Sequence, residues 1–206
     1  MRTNGGGYDE GYRAVPCFWG TRPGSLVSDF LGRYPCGSHA EVLDLGCGEG
    51  KNAAAFTAAG CHVDAIDCSS AALENGRNAF SHLDIGWLLA DARKISLPPR
   101  HYDVVVAYGF FHCLPNKEEI SALIGLTKEA TKVGGYHLVC AFNSRSQDLS
   151  AHPGFIPTLA SHAWYLRKYT DWSIVSATDT ILHERHPHNG IPHHHSLTRL
   201  IARRIA

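Results

Sequence analysis

The sequence predicts an α/β fold: a doubly wound sheet of seven strands with helices on both faces, closed by a C-terminal antiparallel hairpin. Three observations carry this. From residue 40 onward, short apolar runs alternate with helix-length amphipathic segments, the pattern of successive βα units in a parallel sheet. The first apolar run, Glu41-Val42-Leu43-Asp44-Leu45, breaks into Gly46-x-Gly48-x-Gly50 before a helix opens at Lys51. The last two strand patterns, 173–183 and 195–203, are separated only by a polar turn containing Pro187-His188-Asn189-Gly190, so they pair antiparallel.

Size and composition agree with one such domain behind a short arm. A chain of 206 residues builds a full core without staples. Its organisation reads as an N-terminal arm over 1–37 and a catalytic-size domain over 38–206. Nineteen basic and nineteen acidic side chains cancel, so no field steers the chain onto nucleic acid. No stretch approaches the ~20 apolar residues of a membrane span. The start, Met1-Arg2-Thr3-Asn4-Gly5-Gly6-Gly7, lacks the apolar stretch of a secretory signal, and the expected compartment is the cytoplasm. Seven cysteines without a CxxC pair read as reduced thiols, mostly small buried residues.

The elements follow in order. Residues 1–37 are rich in Gly, Pro and aromatics; Tyr8, Tyr12 and Phe18-Trp19-Gly20-Thr21-Arg22-Pro23 stand out, and a helix is expected from Ser25 to Tyr34. The Trp19 segment reads equally as packing of the arm or as part of a lid. Strand one is 41–45, and the helix after it runs 51–59 to Gly60. Strand two, 62–67, ends in Asp67; Ser69-Ser70 then caps a helix running to Leu83. Strand three, 85–90, ends at Asp91. Strand four, 102–108, is apolar on both faces, as a central parallel strand should be. A helix over 117–132 is closed by Gly134-Gly135, strand five is 136–142, and a helix spans 158–169 before the hairpin.

Ligands of such sheets lie outside the carboxyl ends of the strands. The residues to weigh are therefore the 46–50 loop, Asp67, Asp91-Ala92, Gly109-Phe110-Phe111-His112 and Asn143 onward. Glycines at 46, 48 and 50 permit φ > 0 and close backbone approach, and the helix start offers unpaired N–H groups. The spacing is GxGxG rather than the GxGxxG of dinucleotide sites, with Asp44 two residues before the first glycine. Asp67, 17 residues past Gly50, is placed to hold two ribose hydroxyls; the alternative, a helix cap, is already supplied by the serines. Asp91-Ala92 suits adenine, the carboxylate taking the amino hydrogen and the next N–H serving the ring, or else a plain turn. Trp87 flanks the base or packs in the sheet.

Residues 41–50, 62–67, 88–92 and 102–114 together resemble motifs I to IV of the class I S-adenosylmethionine (SAM) methyltransferases. The resemblance implies their Rossmann-like fold, whose last strand is reversed, and SAM as cofactor. It implies SAM contacts from Asp44, Gly46, Cys47, Gly48, Gly50, Asp67, Cys68, Asp91, Ala92 and Tyr108, with Asp44 ordering the loop and receiving the methionine ammonium. In this superfamily an N-terminal segment often folds over the ligand, which favours Tyr12 and Trp19 as substrate contacts. The last seventy residues resemble the tellurite-resistance B (tellurite/selenite methyltransferase) type, on Gly134-Gly135-Tyr136-His137-Leu138-Val139, Tyr165-Leu166-Arg167-Lys168-Tyr169 with Asp171-Trp172, Leu182-His183, Asn189-Gly190 and Leu200-Ile201-Ala202-Arg203.

That resemblance implies methyl transfer to a small-molecule acceptor: a chalcogen oxyanion, a thiol or another small metabolite. The type places a histidine at His183 near the substrate, followed by arginines suited to an oxyanion. Here Glu184 and Ile191-Pro192 stand where the arginines belong. Arg185 compensates, or the acceptor is not an oxyanion. In place of the arginines stand His183, His186, His188, His193, His194 and His195. By strand periodicity His193 and His195 share a face, and His183 is expected across from them. Such a trio is able to bind Zn²⁺, Fe²⁺ or Ni²⁺, to contact substrate, or simply to decorate a polar turn. His112, His183 and His195 are the catalytic candidates. Other readings are a metal-dependent transferase whose hairpin ion binds the acceptor, and a non-catalytic SAM-binding protein.

Overall fold

Strands that alternate buried and half-buried positions, with apolar helices between them, pair as their periodicity demands. The computed structural model describes residues 8–34, 36–185 and 190–206. Along the chain lie α1 (Asp9–Ala14), α2 (Ser25–Arg33), β1 (Glu41–Leu45), α3 (Lys51–Ala58), β2 (His62–Asp67), α4 (Ser70–Ala79), β3 (Gly86–Leu89) and β4 (Tyr102–Tyr108). A 3₁₀ turn at Phe111–Cys113 follows, then α5 (Lys117–Ala130), β5 (Thr131–Gln147), α6 (His162–Arg167), β6 (Ser173–Glu184) and β7 (His193–Arg203). The strands form one seven-stranded sheet in the order β3-β2-β1-β4-β5-β7-β6. β1 to β5 are parallel, and β7 runs antiparallel to both of its neighbours. The predicted architecture and its reversed last strand are both present.

Period-two alternation divides the core between the two faces of the sheet. Leu43, Leu45, Val105, Val139 and Leu200 pack toward α5 and the buried rings of Tyr165 and Tyr169. Val42, Val104, Val106, Leu138 and Ile201 pack toward Val27, Phe30 and Phe56 of α2 and α3. Strand order reverses between β1 and β4, so a crevice opens outside their carboxyl ends. Because β6 and β5 each run antiparallel to β7, β6 also ends on that side of the sheet.

The boundaries differ from expectation where backbone groups find partners outside their own segment. The expected 158–169 helix begins only at His162, capped by Ser161 Oγ. Its first residues are held extended: Thr158 N–H donates to the His112 carbonyl at 2.8 Å, and the Ala160 carbonyl accepts from Ser144 at 3.1 Å. β5 runs on to Gln147, opposite His195, and β7 correspondingly begins at His193. α4 stops at Ala79 rather than Leu83, α5 stops at Ala130, and β3 is confined to Gly86–Leu89. α1 was not foreseen. His186, Pro187, His188 and Asn189 lie outside the described residues. Among the described residues, no helix is long and apolar enough to cross a membrane.

Candidate active site

The glycine loop is the first part of the site. Gly46, Gly48 and Gly50 all adopt positive φ, at 63°, 55° and 78°. Each faces an aromatic side chain: a Cβ would lie 2.3 Å from the Phe110 ring at Gly46, 2.7 Å from the Tyr12 hydroxyl at Gly48, and 2.2 Å from the Trp87 ring at Gly50. Trp87 thus packs between the loop and Gly76 of α4. At the end of β2, Asp67 accepts from Gly48 N–H and from Ser69 N–H, both at 2.8 Å, which joins the loop to the start of α4. Burial pushes the Asp67 carboxyl up. Asp44 is buried under the loop and accepts from Ala53 N–H at 3.1 Å; burial pushes it up to about 7.

The arm is fastened to this loop by polar side chains that the sequence reading passed over. Glu49 Oε1 accepts from Cys17 N–H at 2.8 Å and from Asn75 at 2.9 Å, and Asn75 also donates to the Tyr12 carbonyl at 2.7 Å. Lys51 donates to the Trp19 carbonyl, Asn52 accepts from Gly24 N–H, and Ser69 donates to Asp9. Tyr12 and Phe18 are buried against Ala72. Glu49 Oε2 is buried and has no hydrogen-bond partner among the described residues. It is an acceptor oxygen beside the glycine loop, suited to a cationic group.

The second part is on the hairpin. His193 and His195 are buried on one face of β7. The register pairs Glu184 with His193 and Leu182 with His195, whereas His183 pairs with His194. His183 therefore shares the opposite face with His194, their ring centroids 5.9 Å apart. The third histidine of the cluster is His152, from the loop after β5, and not the expected His183. Its Nε2 lies 3.2 Å from the Nε2 of both His193 and His195. Glu184 Oε1 stands 3.5 Å and 3.6 Å from those same two nitrogens. One ligand atom from each of the four residues falls within 4.8 Å of every other. Tyr8 lies edge-on to His152, with centroids 6.4 Å apart, and packs on Trp19 and Phe155, so the arm reaches the cluster.

Other expected residues are placed differently. His112 is buried behind Phe142, whose ring stacks on it at 4.0 Å and on His195, also at 4.0 Å, from the other side. Its Nδ1 accepts from Phe142 N–H, and burial together with the neighbouring histidines lowers its pKa to about 3. It is buried, and its lowered pKa keeps the imidazole neutral near pH 7. Both Asp91 oxygens are engaged by the Arg93 guanidinium, at 2.8 and 2.6 Å, which holds that carboxyl below its usual range. Ala92 is buried in the core, Cys47 is buried in the loop, and Cys68 is exposed. Tyr108 packs against Gly24 at the start of α2. Arg185 and His183 line a cleft with Asp148, Glu184, Pro192 and His193.

Residues 42–135 match the family described as "Methyltransferase domain". The chain is 31% identical over 146 residues to a probable S-adenosyl-L-methionine-dependent methyltransferase TehB of Haemophilus influenzae, covering 70% of this chain and 50% of that protein. It is 30% identical over 132 residues to an uncharacterized methyltransferase of Mycobacterium bovis, covering 64% of this chain and 57% of the relative. The crystal structure of TehB from H. influenzae superposes with a TM-score of 0.74 at 25% identity, over 88% of this chain and 62% of that one. The chain spans about half the length of the TehB relatives that it matches.

Proposed function

The chain belongs to the class I SAM-dependent methyltransferases, related to the TehB proteins, and on that premise we propose that it transfers a methyl group to a small-molecule acceptor between the arm and the hairpin. The observation that carries the reading is the cradle at the switch point, three left-handed glycines with the Asp67 carboxylate tied to the second of them. The residues fit the cofactor: side chains at the glycines would fill the cradle, and the buried, unpartnered Glu49 oxygen suits the methionine ammonium. In this reading residues 44–50 receive the methionine end, Asp67 the ribose and Asp91-Ala92 the adenine.

SAM supplies a methyl carbon already activated on a sulfonium. What remains for the chain is to hold the acceptor in line with it. Tyr12, Trp19 and Lys51 fix the arm over the loop, and the hairpin presents polar side chains from the opposite side. A second reading is favoured by one observation, the convergence of His152, Glu184, His193 and His195. In it, a divalent ion on these residues binds the acceptor, and transfer depends on that ion.

The test is to titrate untagged protein with SAM by calorimetry. It is then incubated with SAM and selenite, tellurite, thiols, phenols or amines while S-adenosylhomocysteine is measured. Binding plus turnover of any acceptor supports the proposal. Absence of SAM binding overturns it, and tight binding with no product from any acceptor favours a non-catalytic binder.

A further inference from the structure

The hairpin cluster has more order than a polar turn requires. A carbonyl only accepts, so the His193 Nδ1 at 2.8 Å from the Ile191 carbonyl is the protonated nitrogen. The His195 Nδ1 stands 2.7 Å from Gln147 Oε1. That amide cannot be flipped, because its nitrogen donates to the Asn143 and Ser196 carbonyls at 2.7 and 2.9 Å. His195 Nδ1 therefore also carries its proton. Both rings then turn Nε2 inward, toward a third imidazole nitrogen at 3.2 Å. A tetrahedral zinc site with Zn–N bonds of about 2.0–2.1 Å has its nitrogens about 3.3 Å apart. A ligating histidine typically donates its other N–H to a carbonyl or carboxylate, as Ile191 and Gln147 allow here.

The fourth group differs from the other three. Glu184 Oε1 lies farther out, at 3.5 and 3.6 Å, and its side chain keeps 24% of its surface exposed, against 0% for His193 and His195. Glu184 also lies in the field of Lys51. We propose that His152, His193 and His195 hold a divalent first-row transition ion, and that Glu184 is a displaceable ligand whose place the methyl acceptor, an organic thiol, takes as its thiolate. This rests on the methyl-transfer reading and deepens it.

Charge and chemistry point to the thiol. A dication with one carboxylate carries a single net positive charge, and a thiolate that replaces Glu184 exchanges one monoanion for another and leaves that charge unchanged. An oxyanion acceptor needs no deprotonation and would meet Glu184 where arginines would have held it. A thiol does need to lose its proton. His183 shares its strand face with His194 and lines the same cleft as Glu184 and His193, and His112 is buried behind Phe142, so the ion, bound to the sulfur itself, is the group that brings this about. The step balances. R–SH binds as R–S⁻ and releases H⁺ to water. A sulfur lone pair bonds to the methyl carbon, and the carbon–sulfonium bond breaks with its electron pair left on sulfur. The products are R–S–CH₃, uncharged and a weak ligand, and S-adenosylhomocysteine; Glu184 then returns.

Metal-stripped, untagged protein is titrated with Co²⁺ in place of the native ion, and thiophenol is then added. The expected result is one equivalent of Co²⁺ with tetrahedral visible bands, then a sulfur-to-cobalt charge-transfer band. His195→Ala should abolish the visible bands, and Gln147→Leu, which removes the hydrogen bond behind His195 together with those to Asn143 and Ser196, should weaken Co²⁺ binding by about 10–100-fold. SAM binding, measured alongside by calorimetry, reports that each variant is folded. No Co²⁺ binding, or binding without the charge-transfer band, overturns the inference while SAM binding persists. Failure of the wild-type protein to bind SAM would instead overturn the methyl-transfer reading beneath it.

Discussion

Asp44 is buried under the glycine loop with its carboxyl pushed up to about 7 by desolvation. Its ordinary value is about 3.9. The folded state therefore holds a proton there that the unfolded chain releases, and the stability this contributes at low pH is lost as pH rises through 7. Between pH 5 and pH 8 the loss from this one group is on the order of 2–3 kcal/mol. Asp44→Asn keeps an oxygen for Ala53 N–H and cannot ionise. Without ligand it should be more stable than wild type at pH 8, with the gap closing toward pH 5. Urea unfolding at both pH values checks this, and a gap that does not change with pH would sink it. Gly50→Ala puts a methyl at φ 78° and 2.2 Å from the Trp87 ring. It should lose roughly 2–4 kcal/mol in the same assay. Both glycine and acid were legible, because their chemistry is local to the motif. The hairpin site was half legible. Period two placed His193 and His195 together, but the partner across the hairpin depends on register, and a one-residue difference exchanges His183 for Glu184.

Elements that borrow their stability from elsewhere were the hardest to read. α1 is six residues with a glycine inside, too short to persist alone. Its shape comes from Tyr12 and Phe18 packing on Ala72, and from Asn75 and Ser69 bonding to its backbone and side chains. β5 was cut short at Phe142 because Asn143, Ser144 and Ser146 read as a polar loop. In fact Asn143 and Ser196 bond across the sheet at 2.6 Å, which carries pairing on to Gln147. That extension sets up the loop with His152, a lone histidine in a Pro-Gly stretch with no periodic signal. If the arm is a lid, Asn75→Ala should loosen it by removing the bonds to both Tyr12 and Glu49. The expected outcome is faster tryptic cleavage at Arg13 and Arg22 and SAM affinity about tenfold weaker, a loss of about 1.4 kcal/mol. Unchanged cleavage with unchanged affinity would make the arm a static packing element.

At the scale of the molecule, topology assigns the two halves of the sheet different duties. The strand-order reversal between β1 and β4 places the glycine loop, Asp67 and the start of α3 on one side of the crevice. β6, at the far edge of the sheet, ends on the same side of the sheet as those strands. This much followed from the alternation of strands and the unbroken C-terminal hairpin, since parallel strands fix where their carboxyl ends lie. In the proposed function the two ligands are held by separate sets of residues, so binding should be separable from chemistry. SAM at a hundred times its dissociation constant stabilises the folded state by about 2.7 kcal/mol. In a chain of this size that corresponds to a rise in Tm of about 5–10 °C. Wild type and His193→Ala should both show the rise, because His193 belongs to the hairpin half. Asp67→Asn keeps an acceptor for Gly48 or Ser69 and so should fold, yet it removes the charge that the proposed function gives to the ribose and should shift little. A thermal-shift series on the three proteins decides. Loss of the rise in His193→Ala would mean that the hairpin helps hold the cofactor, and the division across the crevice would fail.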